Sequence, residues 1–194
     1  MAKVAIVYHS GYGHTKLQAE AVRDGAAGAG ADVTLLTAEE GQERMDDLKD
    51  MDAIVFGAPT YMGSASAPMK AFMDATSKPW FAQAWKDKIA GGFSNSGSAS
   101  GDKVNTLQGF AILAAQHGMI WVSTGMLNQT QDPDYEGKDE DAVNRLGGYL
   151  GPMAQSENAE PGPNNPPKGD IETAKRYGAR IAHAAERWGS GKLG

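Results

Sequence analysis

The sequence predicts an α/β protein in which helices cover both faces of a five-stranded parallel sheet. Short apolar runs alternate with helical patterns along the 194-residue chain, as they do in doubly wound sheets. Each apolar run is followed at once by Gly, Pro, Ser or Thr, which is typical of a strand that ends in a loop. The length suits one domain, and we expect residues 1–194 to form it.

The predicted strands and helices take turns along the chain. Five strands are predicted because each run is short, apolar and bounded by turn-forming residues: 4–8, 32–36, 53–58, 89–94 and 119–123. Five helices are predicted from their apolar periodicity: 15–29, a short 44–49, 68–76, 104–117 and 171–187. Right-handed crossovers would place these helices on both faces. With the strand order 2-1-3-4-5, a ligand would bind at the carboxyl ends of the strands, between the first and the third.

Composition argues against several functional classes. A net charge of −6 without a basic cluster argues against a nucleic-acid partner, and the absence of cysteine excludes thiol chemistry and iron–sulfur clusters. There is no long apolar span and no N-terminal signal pattern, so we expect a cytoplasmic protein without membrane insertion. The acidic runs Asp46-Asp47 and Asp139-Glu140-Asp141 are interpreted as solvated faces, and no metal site is expected.

The loop after the first predicted strand has the features of a phosphate site. It is rich in glycine and hydroxyls, and it leads directly into a helix, whose first N–H groups and dipole favour an anion. Its residues are Ser10, Gly11, Tyr12, Gly13, His14 and Thr15. Lys16 stands where a dinucleotide fingerprint needs a third glycine, and no Gly-Lys-Ser/Thr ending of a P-loop is present. A terminal monophosphate therefore fits best, and an ordinary capped strand-turn-helix connection is the alternative.

The loops after the third and fourth predicted strands suit a flat ring. The first offers an aromatic, a thioether and small residues: Pro59, Thr60, Tyr61, Met62 and Gly63. The second lacks apolar periodicity and consists of Asn95, Ser96, Gly97, Ser98, Ala99, Ser100 and Gly101. A flexible surface linker is the alternative interpretation of the second loop. Because the three loops meet at one edge of the sheet, a mononucleotide with a flat heterocycle is the expected ligand.

Four segments resemble flavodoxin-like proteins, in particular the tryptophan-repressor-binding-protein family of NAD(P)H:quinone oxidoreductases: residues 8–16, 53–74, 93–101 and 117–119. The resemblance implies a flavodoxin-like three-layer sandwich with non-covalent FMN. It also implies two-electron reduction of quinones by NADH or NADPH in a ping-pong cycle. In this interpretation the loop from Ser10 to Thr15 holds the FMN phosphate, and the other two loops hold the flavin ring.

The resemblance also assigns roles to three further side chains. His117 matches a histidine beside the flavin and the quinone, which implies a catalytic and cofactor-binding role. Tyr12 would face the nicotinamide. Trp80 matches an aromatic that reaches the substrate pocket in the family, sometimes from a neighbouring subunit. The alternatives are a structural helix C-cap for His117-Gly118, and a packed hydrophobic face or dimer contact for Trp80 with Phe81 and Trp85.

The chain departs from the family pattern in two places. Tyr61-Met62 stands where the family often has arginine and phenylalanine, which removes one positive charge near the flavin. Only residues 37–52 connect the second and third strands, where the family has an insertion involved in tetramer assembly. A homodimer or a homotetramer is expected. The rival functions are a flavodoxin-type electron carrier or FMN-binding module, and an NAD(P)H-dependent FMN reductase.

The connection before the last helix is unusually long. Residues 124–169 are rich in Pro, Gly and Asn and include the run Pro161-Gly162-Pro163-Asn164-Asn165-Pro166-Pro167. A connection of this length usually forms a lid or a subunit contact, or is disordered.

Overall fold

The computed structural model describes residues 1–190 and has the predicted α/β architecture. Five parallel strands form the sheet in the order β2-β1-β3-β5-β6, which in order along the chain is the predicted 2-1-3-4-5. The strands are β1 (Lys3–Tyr8), β2 (Asp32–Thr37), β3 (Ala53–Tyr61), β4 (Ser64–Ala65), β5 (Ile89–Ser96), β6 (Ile120–Trp121) and β7 (Met153–Gln155). The helices are α1 (His14–Gly28), α2 (Ala38–Glu43), α3 (Ala67–Ala75), α4 (Ser77–Phe81), α5 (Lys103–Gln116) and α6 (Lys168–Ser190).

Side chains that alternate along the strands build one core on each face of the sheet. Ala5 and Val7 pack on the side of α2, α3 and α5, whereas Val4 and Ile6 pack on the side of α1 and α6. Helices α1 and α6 approach each other closely. A Cβ atom at Gly25 of α1 would lie 1.7 Å from the backbone oxygen of Lys175 in α6. The result is the three-layer sandwich, with both cores below the loops at the carboxyl ends of the strands.

The prediction of a helix at residues 44–49 is wrong. The chain instead forms α2 immediately after β2, followed by a 3₁₀ turn at Asp47–Asp50. Thr37 and Glu40 form a capping box: the Thr37 hydroxyl accepts the Glu40 N–H at 3.2 Å, and the Glu40 carboxylate accepts the Thr37 N–H at 2.7 Å. The Thr-x-x-Glu spacing carried this signal, which outweighs the weak apolar periodicity that follows it.

The fifth strand position is divided between two short segments. β6 pairs with the first residues of β5, and β7 pairs in parallel with its last residues, from Ser94 opposite Met153 to Ser96 opposite Gln155. Residues 122–152 leave the sheet between them and are tied back to it, since the Trp121 Nε1–H donates to the Leu150 oxygen at 2.9 Å. The long predicted connection is thus an ordered insertion in the fifth strand position, followed by a shorter connection to α6.

No helix among residues 1–190 combines the length and the apolar character that crossing a membrane requires.

Candidate cofactor site

A cavity of about 690 Å³ opens at the carboxyl ends of β1, β3 and β5. The three predicted loops supply eleven of its lining residues: Ser10, Gly11, Tyr12, His14, Thr15, Pro59, Thr60, Tyr61, Asn95, Ser96 and Gly97. A fourth segment completes the lining with Ser156, Glu157, Asn158, Ala159, Glu160 and Pro161. The structure therefore brings the three loops to one place and adds a wall that the sequence analysis did not assign to the site.

The first loop lies at the start of α1, where the sequence predicts an anion site. The Ser10 hydroxyl accepts the N–H groups of Gly13 and Lys16, both at 3.1 Å, which curls the loop around the helix terminus. Gly13 precedes the helix with φ +91°, a conformation that side chains disfavour, and a Cβ atom there would lie 2.9 Å from Cγ of Pro161. Apart from the N–H of Lys16, which Ser10 accepts, the N–H groups of the first turn have no partner within the helix and can donate to a phosphate.

Two tyrosines stand beside this loop. Tyr12 is 77% exposed and Tyr61 is 39% exposed, and their rings meet edge to face with centroids 6.3 Å apart. The Tyr61 hydroxyl packs against Gly11, where a Cβ atom would lie 2.6 Å from its oxygen. Partial burial raises the pKa of that hydroxyl. The aromatic surfaces are therefore open and partly fixed, which suits stacking against a flat ligand.

Buried hydroxyls fix the floor of the cavity. The Thr60 hydroxyl lies 2.8 Å from that of Ser94 and 2.7 Å from that of Thr106, and Ser94 donates to the Ala58 oxygen at 2.8 Å. This network joins the ends of β3 and β5 to α5. The polar floor leaves little freedom to the loops that follow each strand.

The fourth wall is held by side chains from both ends of the chain. Asn165 accepts the Glu157 N–H at 2.8 Å and donates to the Glu160 oxygen at 3.1 Å. Nε2 of His14 lies 2.9 Å from the Ala159 oxygen, so this residue of the first loop contacts the wall. The Pro- and Asn-rich run was the sequence signal for this wall, but composition alone did not show which side of the molecule it would cover.

Several predicted residues lie beside the cavity without lining it. Met62 is fully exposed in the turn between β3 and β4, and Gly63 follows it. In the second loop, Ser98, Ala99 and Ser100 are exposed beyond the lining residue Gly97.

Two predicted residues, His117 and Trp80, do not line the cavity of their own chain, and the roles that the resemblance implies for them stay predictions. His117 is 1% exposed, caps the C-terminus of α5, and lies near Asp87, whose N–H donates to the Gly118 oxygen just before β5 begins. Because α5 runs antiparallel to the strands, its end reaches the amino edge of the sheet, opposite the cavity. Trp80, 46% exposed in α4, is not among the cavity residues either. The structure places His117 at the C-cap of α5, as the structural interpretation expects, and its catalytic role stays a prediction.

His117 has a stable place in the core. Its Nε2 lies 2.9 Å from the Thr76 hydroxyl, and its ring stacks on Trp85 with centroids 4.3 Å apart. Burial lowers the pKa of His117 to about 4, so the imidazole is neutral near neutral pH. Within its own chain, His117 therefore has the contacts of a core residue.

Comparisons with known proteins agree with this geometry. The profile of a family described as "NADPH-dependent FMN reductase" matches residues 36–134. The protein "Flavodoxin FldP" of Pseudomonas aeruginosa is 40% identical over 190 residues, covering 96% of this chain and 98% of that protein. An "NAD(P)H dehydrogenase (quinone)" of Rhizobium johnstonii is 31% identical over 205 residues. The match covers 96% of this chain and 99% of that protein.

The solved structures give the same result. A crystal structure of "the flavodoxin, WrbA-like protein from Agrobacterium tumefaciens" is 42% identical, covers 96% of this chain and 99% of that chain, and superposes with a TM-score of 0.74. The flavodoxin-like architecture, predicted from the alternation of strands and helices and from the resemblance, is thereby confirmed. This chain belongs to the NADPH-dependent FMN reductase family, with the fold of WrbA-like flavodoxins.

Proposed function

We propose that this protein is an FMN-dependent NAD(P)H:quinone oxidoreductase that holds its flavin non-covalently in the cavity at the carboxyl edge of the sheet. The observation that carries the proposal is the convergence of an anion-binding loop and two polar ring loops on one cavity of about 690 Å³. A volume of this size is typical of small-molecule sites. Relatives named NAD(P)H dehydrogenase (quinone), such as that of Rhizobium johnstonii, support the reaction.

The chain's residues fit an FMN phosphate and ring. The cradle at Gly13 is closed by Pro161 and leaves no room for a side chain. The Ser10 oxygen accepts two N–H groups, so its own hydrogen would be available to a dianionic phosphate, together with N–H groups of the first turn of α1. Thr60 and Tyr61 would hold one edge of the ring, and Asn95 with the loop from Ser96 to Gly101 the other. Met62 and Gly63 would form the outer turn of the first ring loop.

The protein contributes to the reaction by binding and orienting the flavin and its substrates. Bound FMN supplies hydride transfer from the nicotinamide and delivery of two electrons to the quinone. Tyr12 would cover the face on which nicotinamide and quinone bind in turn, and the wall from Ser156 to Pro161 would restrict water. The proposal requires no protein nucleophile.

We also propose a cellular location and an oligomeric state for the protein. We place the protein in the cytoplasm, where both nicotinamide cofactors are available. A homodimer or homotetramer is supported by the exposed aromatic pair Trp80 and Phe81, the latter 86% exposed, because such side chains favour subunit contacts.

An electron carrier is the second candidate. The 40% identical relative in Pseudomonas aeruginosa is named a flavodoxin, and the carboxylates Glu157 and Glu160 lie at the cavity, where they would favour a cationic docking partner over an anionic substrate. The carrier and the enzyme would share the cofactor and differ in their direct reaction with nicotinamides.

The deciding experiment is a visible absorption spectrum of the purified protein, followed by anaerobic addition of NADPH or NADH. We expect flavin absorbance that bleaches directly and returns when benzoquinone is added. The carrier would be established instead if the bound flavin is not reduced by either nicotinamide and accumulates a one-electron-reduced form on stepwise reduction. Failure to bind FMN even after soaking would refute both.

The phosphate site is tested by Gly13→Ala, with Gly28→Ala as its matched control. A methyl group at Gly13 would meet Pro161 at 2.9 Å and require a positive φ, whereas nothing lies within 4 Å of the corresponding position at Gly28. We expect FMN affinity to fall about tenfold to a hundredfold in the first variant, a loss of about 1.4–2.7 kcal/mol. The second should bind like the parent. Equal affinities by fluorescence titration would contradict the placement of the phosphate.

A further inference from the structure

Lys103 is a buried cation directly behind the second ring loop. The residue is 0% exposed, and its Nζ donates three hydrogen bonds: to the Ser96 hydroxyl at 2.8 Å, to the Ser98 oxygen at 2.7 Å and to the Ala99 oxygen at 3.0 Å. Lysine is rarely buried completely unless its charge has partners. Here all three partners belong to the loop expected beside the flavin.

The position of Lys103 is unfavourable for an ordinary lysine. It is the first residue of α5, where the positive end of the helix dipole favours acidic side chains, and the first turn of α5 has none. A residue that departs from local preference at the edge of a site indicates a role beyond helix formation.

Two of the three hydrogen bonds, those to the Ser98 and Ala99 oxygens, set the direction of peptide groups in the loop. In a trans peptide the N–H points opposite to the C=O of the preceding residue. Because the Ser98 and Ala99 oxygens point inward at the ammonium, the N–H groups of Ala99 and Ser100 point away from it, towards the exposed side of the loop. The ammonium therefore determines which donors the loop presents to a ligand.

We propose that Lys103 is a positioning residue whose protonation controls the affinity of the site for the flavin. When Lys103 is protonated, it holds the loop from Ser96 to Gly101 so that the N–H donors of the loop point outward. When Lys103 is deprotonated, it releases the loop. This inference rests on the proposed FMN site. It adds to that site a control of cofactor retention by pH.

The proton count explains why release follows deprotonation. An ammonium has three N–H donors, which match the three oxygen acceptors, whereas a neutral amine has two donors and a lone pair. One of the three oxygens would then face a lone pair, and the loop could turn a peptide group to avoid it. The loop from Gly97 to Ser100 is exposed and does not pack in the core, so its rearrangement costs little free energy.

The surroundings of Lys103 bring its titration near the physiological range. Burial lowers the pKa of Lys103 to about 8, while the Asp170 carboxylate raises it and the Arg145 guanidinium lowers it. Asp170 and Arg145 are fixed, since they form a bidentate ion pair with both contacts at 2.9 Å. Asp170 also accepts the N–H of Gln155, which is paired with Ser96.

The experiment measures the FMN dissociation constant of the parent, Lys103→Met and Lys103→Arg between about pH 7 and pH 9.5 by flavin fluorescence. The FMN phosphate completes its ionisation near about pH 6, below this range. For the parent we expect weakening that approaches about tenfold per pH unit above about pH 8, the limit for one proton. Lys103→Met should bind about tenfold to a hundredfold more weakly at about pH 7 and lose this dependence. Lys103→Arg should stay charged and show a flat profile.

Lys88→Met is the matched control. The Lys88 ammonium also donates to two backbone oxygens, those of Lys49 and Met51, both at 2.6 Å, and burial lowers the pKa of Lys88. It lies just before β5, at the amino edge of the sheet, opposite the cavity. This variant should keep the parent's FMN affinity and pH profile.

A second measurement needs no flavin. Backbone NMR order parameters of the apo protein at about pH 7 should be lower at residues 97–100 in Lys103→Met than in the parent. A pH-independent FMN affinity in the parent, or a Lys103→Met variant with the FMN affinity and the loop order parameters of the parent, would overturn the inference while leaving the FMN site intact. A parent that binds no FMN would instead refute the proposed function, and the order parameters would still decide what Lys103 does to the loop.

Discussion

At the scale of single residues, the same sequence feature can serve a core or a catalytic site. His117-Gly118 has the composition of a helix C-cap and also matches a flavin-side histidine of the related family. The topology places the end of α5 at the amino edge of the sheet, so a single chain accounts for the C-cap position, and the flavin-side role stays a prediction. By contrast, Gly13 was assigned correctly to a tight turn, because its role depends on its immediate neighbours in the chain.

Burial of His117 makes a prediction about acid stability. Its pKa is lowered from 6.5 to about 4 in the folded protein, so between these values the unfolded chain binds a proton that the folded chain does not. The stabilisation is fully present above about pH 6.5 and is lost as the pH falls towards 4, by up to about 3 kcal/mol. Urea unfolding at several pH values should show a smaller decline in His117→Gln than in the parent.

The exposed His183 provides the comparison for this experiment. His183→Gln should retain the parent's pH dependence, and His117→Gln should retain the parent's turnover with NAD(P)H and quinone. A His117→Gln protein that folds but has lost turnover would show that the histidine acts in the reaction after all, despite its distance from the cavity.

At the scale of elements, periodicity predicts strands and helices but not how separated pieces combine. The strand predicted at 119–123 shortens to Ile120–Trp121, and Met153–Gln155 supplies the other half of its position. A three-residue strand carries too little periodicity to be detected, and its pairing with β5 depends on the path of the whole insertion. The wall from Ser156 to Pro161 was missed for the same reason, since it follows directly from β7.

Asn165 organises this wall, and its removal should loosen the cavity. Asn165→Ala removes the acceptor of the Glu157 N–H and the donor to the Glu160 oxygen. We expect FMN affinity to fall about tenfold, which corresponds to the loss of one or two hydrogen bonds. Asn164→Ala is the adjacent control, because that side chain is exposed. Equal affinities in the two variants would show that the wall does not depend on Asn165 for its place against the flavin.

At the scale of the whole molecule, the insertion is joined to the domain by a buried ion pair. Arg145, within residues 122–152, contacts Asp170 at the start of α6, and Asp170 is 1% exposed. Asp170 also accepts the Gln155 N–H at 2.9 Å, so one carboxylate links the insertion, β7 and α6. The sequence could not reveal this link, because the charges lie 25 positions apart in a segment without periodicity.

Because these three parts meet at one buried carboxylate, we expect Asp170→Asn to destabilise the whole molecule rather than only the insertion. Removing one partner of a buried pair leaves the other charge uncompensated, and the free energy of unfolding should fall by about 3–5 kcal/mol. Asp24→Asn breaks the exposed pair with Arg23 and should cost less than about 0.5 kcal/mol. Urea unfolding followed by both tryptophan fluorescence and circular dichroism should give one coincident transition, shifted only in the first variant. Two separate transitions would mean that the insertion unfolds independently of the sheet.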